Sequence, residues 1–372
     1  MQLTIERSAL LKSLGHIQSV VERRTTIPIL SNVRLDAHDG ALGLNATDMD
    51  LEIAESVGGE VAQAGASTAP AHTLYDIVRK LPDGAQVELT LNGEADRLVL
   101  RSGRSRFNLA CLPVEDFPVM SAGSYSHAFS LSAADLRGMI DRTRFAISTE
   151  ETRYYLNGIH LHATTSDGVP VLRAVATDGH RLARVEVPLP EGAAGMPGII
   201  VPRKAVAELR KLIDETGMDV AVSLSETKIR FAFDDSVLVS KLIDGTFPDY
   251  ERVIPINNDK VVEVDCATLA KAVDRVSAIS TEKSRAVKMT VEKGQITLSA
   301  SSPDAGSAVE EIEASYDGPP IEIGFNSRYL LDILSQIEGD AVRLIMADAS
   351  APTILRDVAD GSAVYVLMPM RV

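Results

Sequence analysis

Apolar residues recur along the chain at two alternating periods. Leu3-Thr4-Ile5, Val33-Arg34-Leu35, Leu42-Gly43-Leu44 and Leu51-Glu52-Ile53 place an apolar residue at every second position, the pattern of strands with one buried face. Other stretches repeat at three and four, the pattern of a helix face. One of these, residues 201–213, reads as an amphipathic helix with Pro202 in its first turn, where a missing amide proton costs nothing. Val206, Leu209 and Ile213 follow Pro202 by 4, 7 and 11 residues. The same steps lead from Pro70 to Leu74, Ile77 and Leu81, and from Asn326, a good cap residue, to Leu330, Ile333 and Ile337. The anchors lie 132 and 124 residues apart. One such match is ordinary core patterning; three at a near-constant period predict a threefold repeat.

The surroundings of each marker repeat as well. In the first repeat a strand at 3–5 leads to a helix over 8–21, alternating strands, the marker helix over 72–80 stopped at Pro82-Asp83-Gly84, and strands at 87–91, 98–100 and 106–109. It closes on Phe117-Pro118, followed by a polar Ser121-Ala122-Gly123-Ser124 linker. The second runs from a strand at 128–131 through a helix over 133–147, strands at 159–162 and 185–187, the marker over 203–215, and strands at 220–224, 229–233 and 237–242, to Phe247-Pro248. The third has a strand at 261–264, a helix over 267–279, strands at 287–291 and 296–298, its marker over 327–337, and a closing Met368-Pro369. Leu136, Ile140, Asp141 and Arg142 match Leu269, Val273, Asp274 and Arg275 at a constant offset of 133. The pattern predicts an α+β protein of three domains, 1–122, 123–253 and 254–372, each with two helices over mostly antiparallel sheet. Repeats this long build arcs or rings rather than thin solenoids.

Composition changes the picture in one respect. A chain of 372 residues with 45% hydrophobic and 24% charged residues is of the globular class, and neither a signal peptide nor a membrane span is visible. Cys111 and Cys266 are too few for a disulfide framework and belong to no metal-ligand cluster, so a reducing cytoplasm is expected, with no metal and no cofactor. The net charge of −15 argues at first sight against nucleic acid. The six expected helices, however, sum to +5 and leave −20 on everything else. A basic helical layer in an acidic shell attracts phosphates weakly and without a site-specific grip.

Six motifs then resemble, in order and from end to end, those of the bacterial DNA polymerase III beta subunit, the sliding clamp. They are Arg23-Arg24-Thr25-Thr26-Ile27-Pro28-Ile29-Leu30-Ser31-Asn32, Arg101-Ser102-Gly103-Arg104-Ser105-Arg106-Phe107, Arg153-Tyr154-Tyr155-Leu156-Asn157-Gly158, Ala176-Thr177-Asp178-Gly179-His180-Arg181-Leu182, Phe247-Pro248-Asp249-Tyr250 and Val366-Leu367-Met368-Pro369-Met370-Arg371-Val372. The resemblance implies a non-catalytic processivity factor: a homodimer closed head to tail, twelve helices lining a hole for duplex DNA, and sheets outside. Topology, not affinity, then holds the protein on DNA, and no base is read.

By the same resemblance, Arg24, His72, Arg153, Tyr154 and Tyr155 are expected at DNA, the tyrosines where stacking on single-stranded template tolerates any sequence; Arg203 and Lys204 join them by their place at the N-terminus of a helix expected to face the hole. Glu150 departs from the family pattern, since an anion there repels phosphate. A hydrophobic cleft for short linear peptides of the polymerase alpha subunit, the clamp loader, other polymerases and repair proteins is expected from Leu156, Thr177, Gly179, His180, Arg181, Leu182, Pro248, Arg252, Val253, Pro352, Val366, Met368, Pro369, Met370 and Arg371. Methionine suits a cleft with several clients because it repacks cheaply. At the dimer contact, Phe107 and Leu109 on an edge strand would pair near Ile279, with Arg104 and Arg106 facing Glu310, Glu311 and Glu313. The protein would work in the cytoplasm, on the nucleoid, without a membrane.

Two other readings compete. Asp48, Asp50 and Glu52, or Asp178 with His180, could hold a metal or form an acid–base pair in a hydrolase. No HExxH, Walker, GxSxG or dinucleotide fingerprint accompanies them, and Asp178-Gly179-His180 reads more simply as a turn. An acidic scaffold that never meets DNA is the third.

Overall fold

The computed structural model describes residues 1–92, 97–120, 123–214, 216–280 and 285–372. The expected linker start and first boundary at Ser121-Ala122, and the expected helix end at Glu215, lie outside the described residues. The same order of elements recurs three times, with one added strand before the marker helix in the first. First come β1 (Gln2–Glu6), α1 (Arg7–Ile17), β2 (Asn32–His38), β3 (Ala41–Thr47), β4 (Leu51–Gly58), β5 (Glu60–Gln63), β6 (Gly65–Pro70), α2 (Ala71–Lys80), β7 (Gln86–Asn92), β8 (Arg97–Ser102) and β9 (Ser105–Ala110). Next are β10 (His127–Ser132), α3 (Ala133–Arg144), β11 (Gly158–Ser166), β12 (Val169–Thr177), β13 (Arg181–Pro188), β14 (Ile199–Pro202), α4 (Arg203–Ile213), β15 (Asp219–Leu224), β16 (Lys228–Phe233) and β17 (Ser236–Lys241). Last are β18 (Lys260–Asp265), α5 (Cys266–Ser277), β19 (Ala286–Glu292), β20 (Gln295–Ser302), β21 (Gly306–Glu313), β22 (Ile321–Asn326), α6 (Ser327–Leu334), β23 (Ala341–Met346), β24 (Thr353–Asp357) and β25 (Ala363–Leu367).

By contact the chain divides into two compact units, residues 1–137, 190–197 and 204–242, and residues 138–189, 198–203 and 243–372. The first holds a five-stranded sheet, β5-β1-β7-β8-β9, and an eight-stranded one, β10-β15-β16-β17-β4-β3-β2-β6. The second holds an eight-stranded sheet, β14-β11-β12-β13-β25-β24-β23-β18, and a four-stranded one, β21-β20-β19-β22. Each eight-stranded sheet therefore joins strands of two successive repeats, and both joints follow one rule. The last strand of a repeat pairs antiparallel with the third strand after the first helix of the repeat before it. At one joint β17 meets β4, with Leu238 opposite Ile53; at the other β25 meets β13, with Val366 opposite Leu182.

The marker helices bury the faces that their spacing implies. Leu74 and Val78 of α2, Val206, Leu209, Leu212 and Ile213 of α4, and Leu330, Ile333 and Leu334 of α6 are all buried. The prolines act differently from the expectation. Pro70 and Pro202 end β6 and β14, and each helix starts one residue later. Both strands lie at sheet edges, where a residue without an amide proton is tolerated. Asn326 caps α6 as expected, its side chain accepting from the Arg328 and Tyr329 amides at 3.0 and 3.3 Å.

Four helices end earlier than the apolar pattern does. Beyond α1, α3, α5 and α6 the chain tightens into bonds to the third residue back, such as Ala146 to Thr143 at 3.0 Å and Ile337 to Leu334 at 3.2 Å. The apolar side chains stay buried through that turn, as Val20, Ala146 and Ile147 show, so periodicity overruns the helix. Several strands escaped the alternation test. In β12, Val171 to Ala176 are all buried, and β25 is buried along its whole length; strands covered on both faces do not alternate. Gly158 is fixed by packing: a Cβ there would lie 2.2 Å from the Val201 carbonyl oxygen on β14.

Candidate functional site

The second unit carries a cavity of about 310 Å³ walled by segments distant in sequence. A 3-10 turn over Glu151–Leu156 supplies Arg153, Tyr155 and Leu156, and the β12–β13 turn supplies Thr177, Gly179, Arg181 and Leu182. Pro248 and Asp249 lead into a second 3-10 turn, Tyr250–Val253, which supplies Tyr250 and Val253, while Val366 lies on β25 and Met368 just past its end. Its floor is the buried cluster of Leu156, Val175, Leu182, Ile200, Phe247, Tyr250 and Val366.

Local chemistry fixes the β12–β13 turn. The Asp178 carboxylate accepts from the His180 and Arg181 amides at 2.9 and 3.1 Å, and the Thr177 hydroxyl donates to the Arg181 carbonyl at 2.7 Å. Gly179 has φ +89°, a left-handed conformation that costs glycine nothing. Arg181 is the hub. It donates to Asp178 at 3.1 Å, to the Phe145 carbonyl at 2.7 Å and to Asp332, and its guanidinium lies 4.4 Å from the Tyr329 ring centroid. Asp48 makes an equivalent turn between β3 and β4, accepting from the Asp50 and Leu51 amides at 2.9 and 2.7 Å. Asp48 and Asp178 of the hydrolase reading thus serve turns, Asp50 pairs with Lys241 at 2.9 Å, and no group of three or more potential metal ligands assembles among the described residues.

Nine of the expected cleft residues line this cavity; six do not. His180 turns onto the Tyr329 ring, centroids 5.9 Å apart. Arg252 is exposed and paired with Asp249 at 2.7 Å. The Pro352 carbonyl is held by the Asn258 side chain at 2.9 Å. Past Met368 the chain leaves the cavity, because the Met370 amide donates to the Gly324 carbonyl at 2.8 Å; this carries Pro369, Met370 and Arg371 towards the edge of β22. Sequence reasoning missed Asp249 and Tyr250, although both stand in a motif it singled out, and it assigned Arg153 and Tyr155 to DNA alone. Arg153 is turned to Glu150, 2.8 Å away, so the family departure at Glu150 neutralises a cation at the cleft.

The residues expected at DNA are placed as follows. In the first unit Arg24 is exposed, and both ring nitrogens of His72 are engaged, by Gln18 at 2.8 Å and the Val21 carbonyl at 2.9 Å. Lys204 is paired with Glu22 at 3.2 Å and with Asp48. In the second unit Arg203 is exposed without an ion pair among the described residues, and Tyr154 is 53% exposed, edge-on to Tyr155. The six helices as formed carry +8 of the chain's −15. Most of these cations already have acidic partners, among them Arg7 with Asp83, Arg142 with Asp360, Arg210 with Asp214, Lys211 with Glu208 and Arg275 with Glu310.

Two of the sheet edges, β9 and β21, carry the residues expected at the dimer contact. Exposed Arg104 lies in the turn before β9, which carries exposed Arg106, half-buried Phe107 and buried Leu109; β21 carries exposed Val309, Glu311 and Glu313. Half-buried Ile279 follows α5, which packs on β21. Glu310 differs from the expectation, since its carboxylate is taken by Arg275 of the same chain at 3.0 Å.

Three family models of the DNA polymerase III beta subunit match in series: the N-terminal domain over 1–121, the central domain over 130–249 and the C-terminal domain over 251–371. The beta sliding clamp of Caulobacter vibrioides is 56% identical over 372 residues, all of both chains, and that of Escherichia coli 39% identical over the same span. Among solved structures, a C. crescentus beta sliding clamp superposes with a TM-score of 0.98 at 56% identity, covering 100% of this chain and 99% of that one. A Bartonella birtlesii clamp bound to griselimycin superposes at 0.97 and 52% identity, with all of both chains covered. With all three domains matched in order, the chain belongs to the DNA polymerase III beta subunit family, the beta sliding clamps.

Proposed function

We propose that this non-catalytic clamp acts as a head-to-tail homodimer around duplex DNA and tethers its clients through the cavity of the second unit. The observation that carries the ring is the joint rule. Repeat two closes on repeat one through β17 and β4, and repeat three on repeat two through β25 and β13. The same rule assigns the free last strand of repeat one, β9, to the free third strand of repeat three, β21, in another copy. Arg104 and Arg106 then meet Glu311 and Glu313, and every strand edge of this type is covered. The recurring element order supports domains at 1–122, 123–253 and 254–372.

The DNA contact is loose because its cations are shared. A lysine such as Lys204, already held by Asp48 and Glu22, exchanges partners with a phosphate at little gain, whereas Arg24 and Arg203 attract phosphate directly. The cavity suits an apolar peptide: a hydrophobic floor, a flexible Met368 at the rim, and few charged groups in its wall. Its clients are the polymerase alpha subunit, the clamp loader, other polymerases and repair proteins. As a bacterial replication protein the clamp is cytoplasmic, and we place it on the nucleoid.

Loaded on a nicked circle, the protein is expected to stay bound in high salt and to run off once the circle is cut. Equal retention on linear DNA, or loss of an activity on adding chelator, would refute the topological reading. Met368→Glu is expected to weaken griselimycin binding at least about tenfold by calorimetry, since an anion would be desolvated at an apolar rim. Unchanged affinity would remove the cavity from the function.

A further inference from the structure

The cavity wall is braced from behind by a polar cluster of which Tyr250 alone lines the cavity. Arg173, on β12, is 3% exposed, and every guanidinium nitrogen is used. Nη1 donates to the Tyr250 hydroxyl at 2.8 Å and to Glu251 at 2.6 Å, while Nε and Nη2 both reach Glu186 Oε1 at 2.7 Å. Having accepted from Arg173, the Tyr250 hydroxyl has one proton to give, and His162 Nε2 lies 2.9 Å away. His162 stacks on His160 with centroids 4.7 Å apart, and His160 stacks on Phe247 at 4.8 Å and 9°. The two aromatics that flank Pro248 and Asp249 are thus each backed by a histidine. His160, Arg173, Glu186, Glu251 and Tyr250 are the titratable or charged groups facing His162; Arg184 adds its charge beside Arg173, its Nε 3.5 Å from Glu186.

Resting on the reading of the cavity as a peptide site, we propose that Arg173 and His162 are positioning residues for it. They fix the Tyr250 wall by taking up both hydrogen-bonding functions of its hydroxyl, and so make the cleft's grip acid-sensitive. The arrangement requires an unprotonated Nε2 on His162. Burial, and then the charge of Arg173, hold His162 below the ordinary imidazole range, and burial with the neighbouring His162 lowers His160 to about 4. Protonating His162 sets two donors against one phenol oxygen, strands the phenol proton and adds a second cation beside Arg173. Tyr250 then loses its fixed position.

Griselimycin, which binds clamps of this family, is the probe, with the full-length chain titrated by calorimetry between pH ~8 and ~5. Wild-type affinity should be flat in the upper range and fall several-fold below the ordinary histidine pKa of about 6.5. His162→Phe and Tyr250→Phe, which keep the rings, should abolish that fall. Arg173→Met should weaken binding about tenfold at pH ~7.5, with partial recovery in Arg173→Lys. A wild-type pH slope persisting in His162→Phe, or full affinity in a folded Arg173→Met, overturns the proposal. Should Arg173→Met not fold, the two phenylalanine variants decide alone. Loss of binding in Met368→Glu beside unaltered Arg173 and His162 variants overturns this inference only; undiminished binding in Met368→Glu overturns the cavity reading and this inference with it.

Discussion

Arg181→Met is expected to destabilise the second unit by roughly 3–5 kcal/mol, read as a shift of its transition in urea, and to abolish griselimycin binding. Arg181 is 9% exposed at its side chain and is shared by Asp178, Asp332, the Phe145 carbonyl and the Tyr329 ring. The methionine fills much of the volume, so the cost comes chiefly from the carboxylates left without their counter-ion, more from Asp178, 16% exposed at its side chain, than from Asp332, 36% exposed. That cause has its own test. Adding Asp332→Asn to Arg181→Met should recover part of the loss, because the second change removes a stranded charge. A single-variant loss under about 1 kcal/mol would show that water already compensates both acids.

Ile279→Arg is expected to convert the dimer into monomers. Ile279 follows α5 beside the β21 edge, half-buried within its own chain, and the proposed joint would cover it with apolar residues of β9 such as Phe107. An unpaired guanidinium buried there costs several kcal/mol against an edge pairing of few strands, and it also adds charge beside Arg104 and Arg106. Sedimentation at low micromolar concentration should give a single species of 39.9 kDa. A surviving dimer would place the joint elsewhere. The reverse pairing, Glu311→Arg with Arg106→Glu on the same chain, should remain dimeric, because the exchange restores opposite charges across the joint.

The threefold repeat was legible because it rests on apolar spacing, which burial enforces wherever an element packs. Leu74, Leu209 and Leu330 are all at most 1% exposed. Strands buried on both faces were not, since β12 and β25 carry no alternation to detect. The cleft was legible by family likeness in its core and illegible at its rim. Its floor residues keep their places, whereas the course of the last residues depends on one backbone hydrogen bond, Met370 to Gly324, that no side chain announces. Tyr250 was missed for a related reason: nothing in Phe247-Pro248-Asp249-Tyr250 shows that its ring faces the cavity while its hydroxyl faces Arg173. The charge count found the helices basic, but could not show that acids, some of them in the same helix, already pair with most of their cations.

The β4–β17 joint bears on how the chain is made. Ser240 pairs with Leu51, 189 residues earlier. At about 5–20 residues per second, β4 leaves the ribosome roughly 10–40 s before its partner strand exists. For that interval the first repeat presents β4 as an unfinished edge, with its apolar Leu51 and Ile53 already committed to its own core. A nascent clamp therefore passes through a state in which a neighbouring chain on the same message could supply the missing strand. Slower translation across 123–235 lengthens that exposure, so codon usage in the second repeat bears on the yield of correctly joined protein.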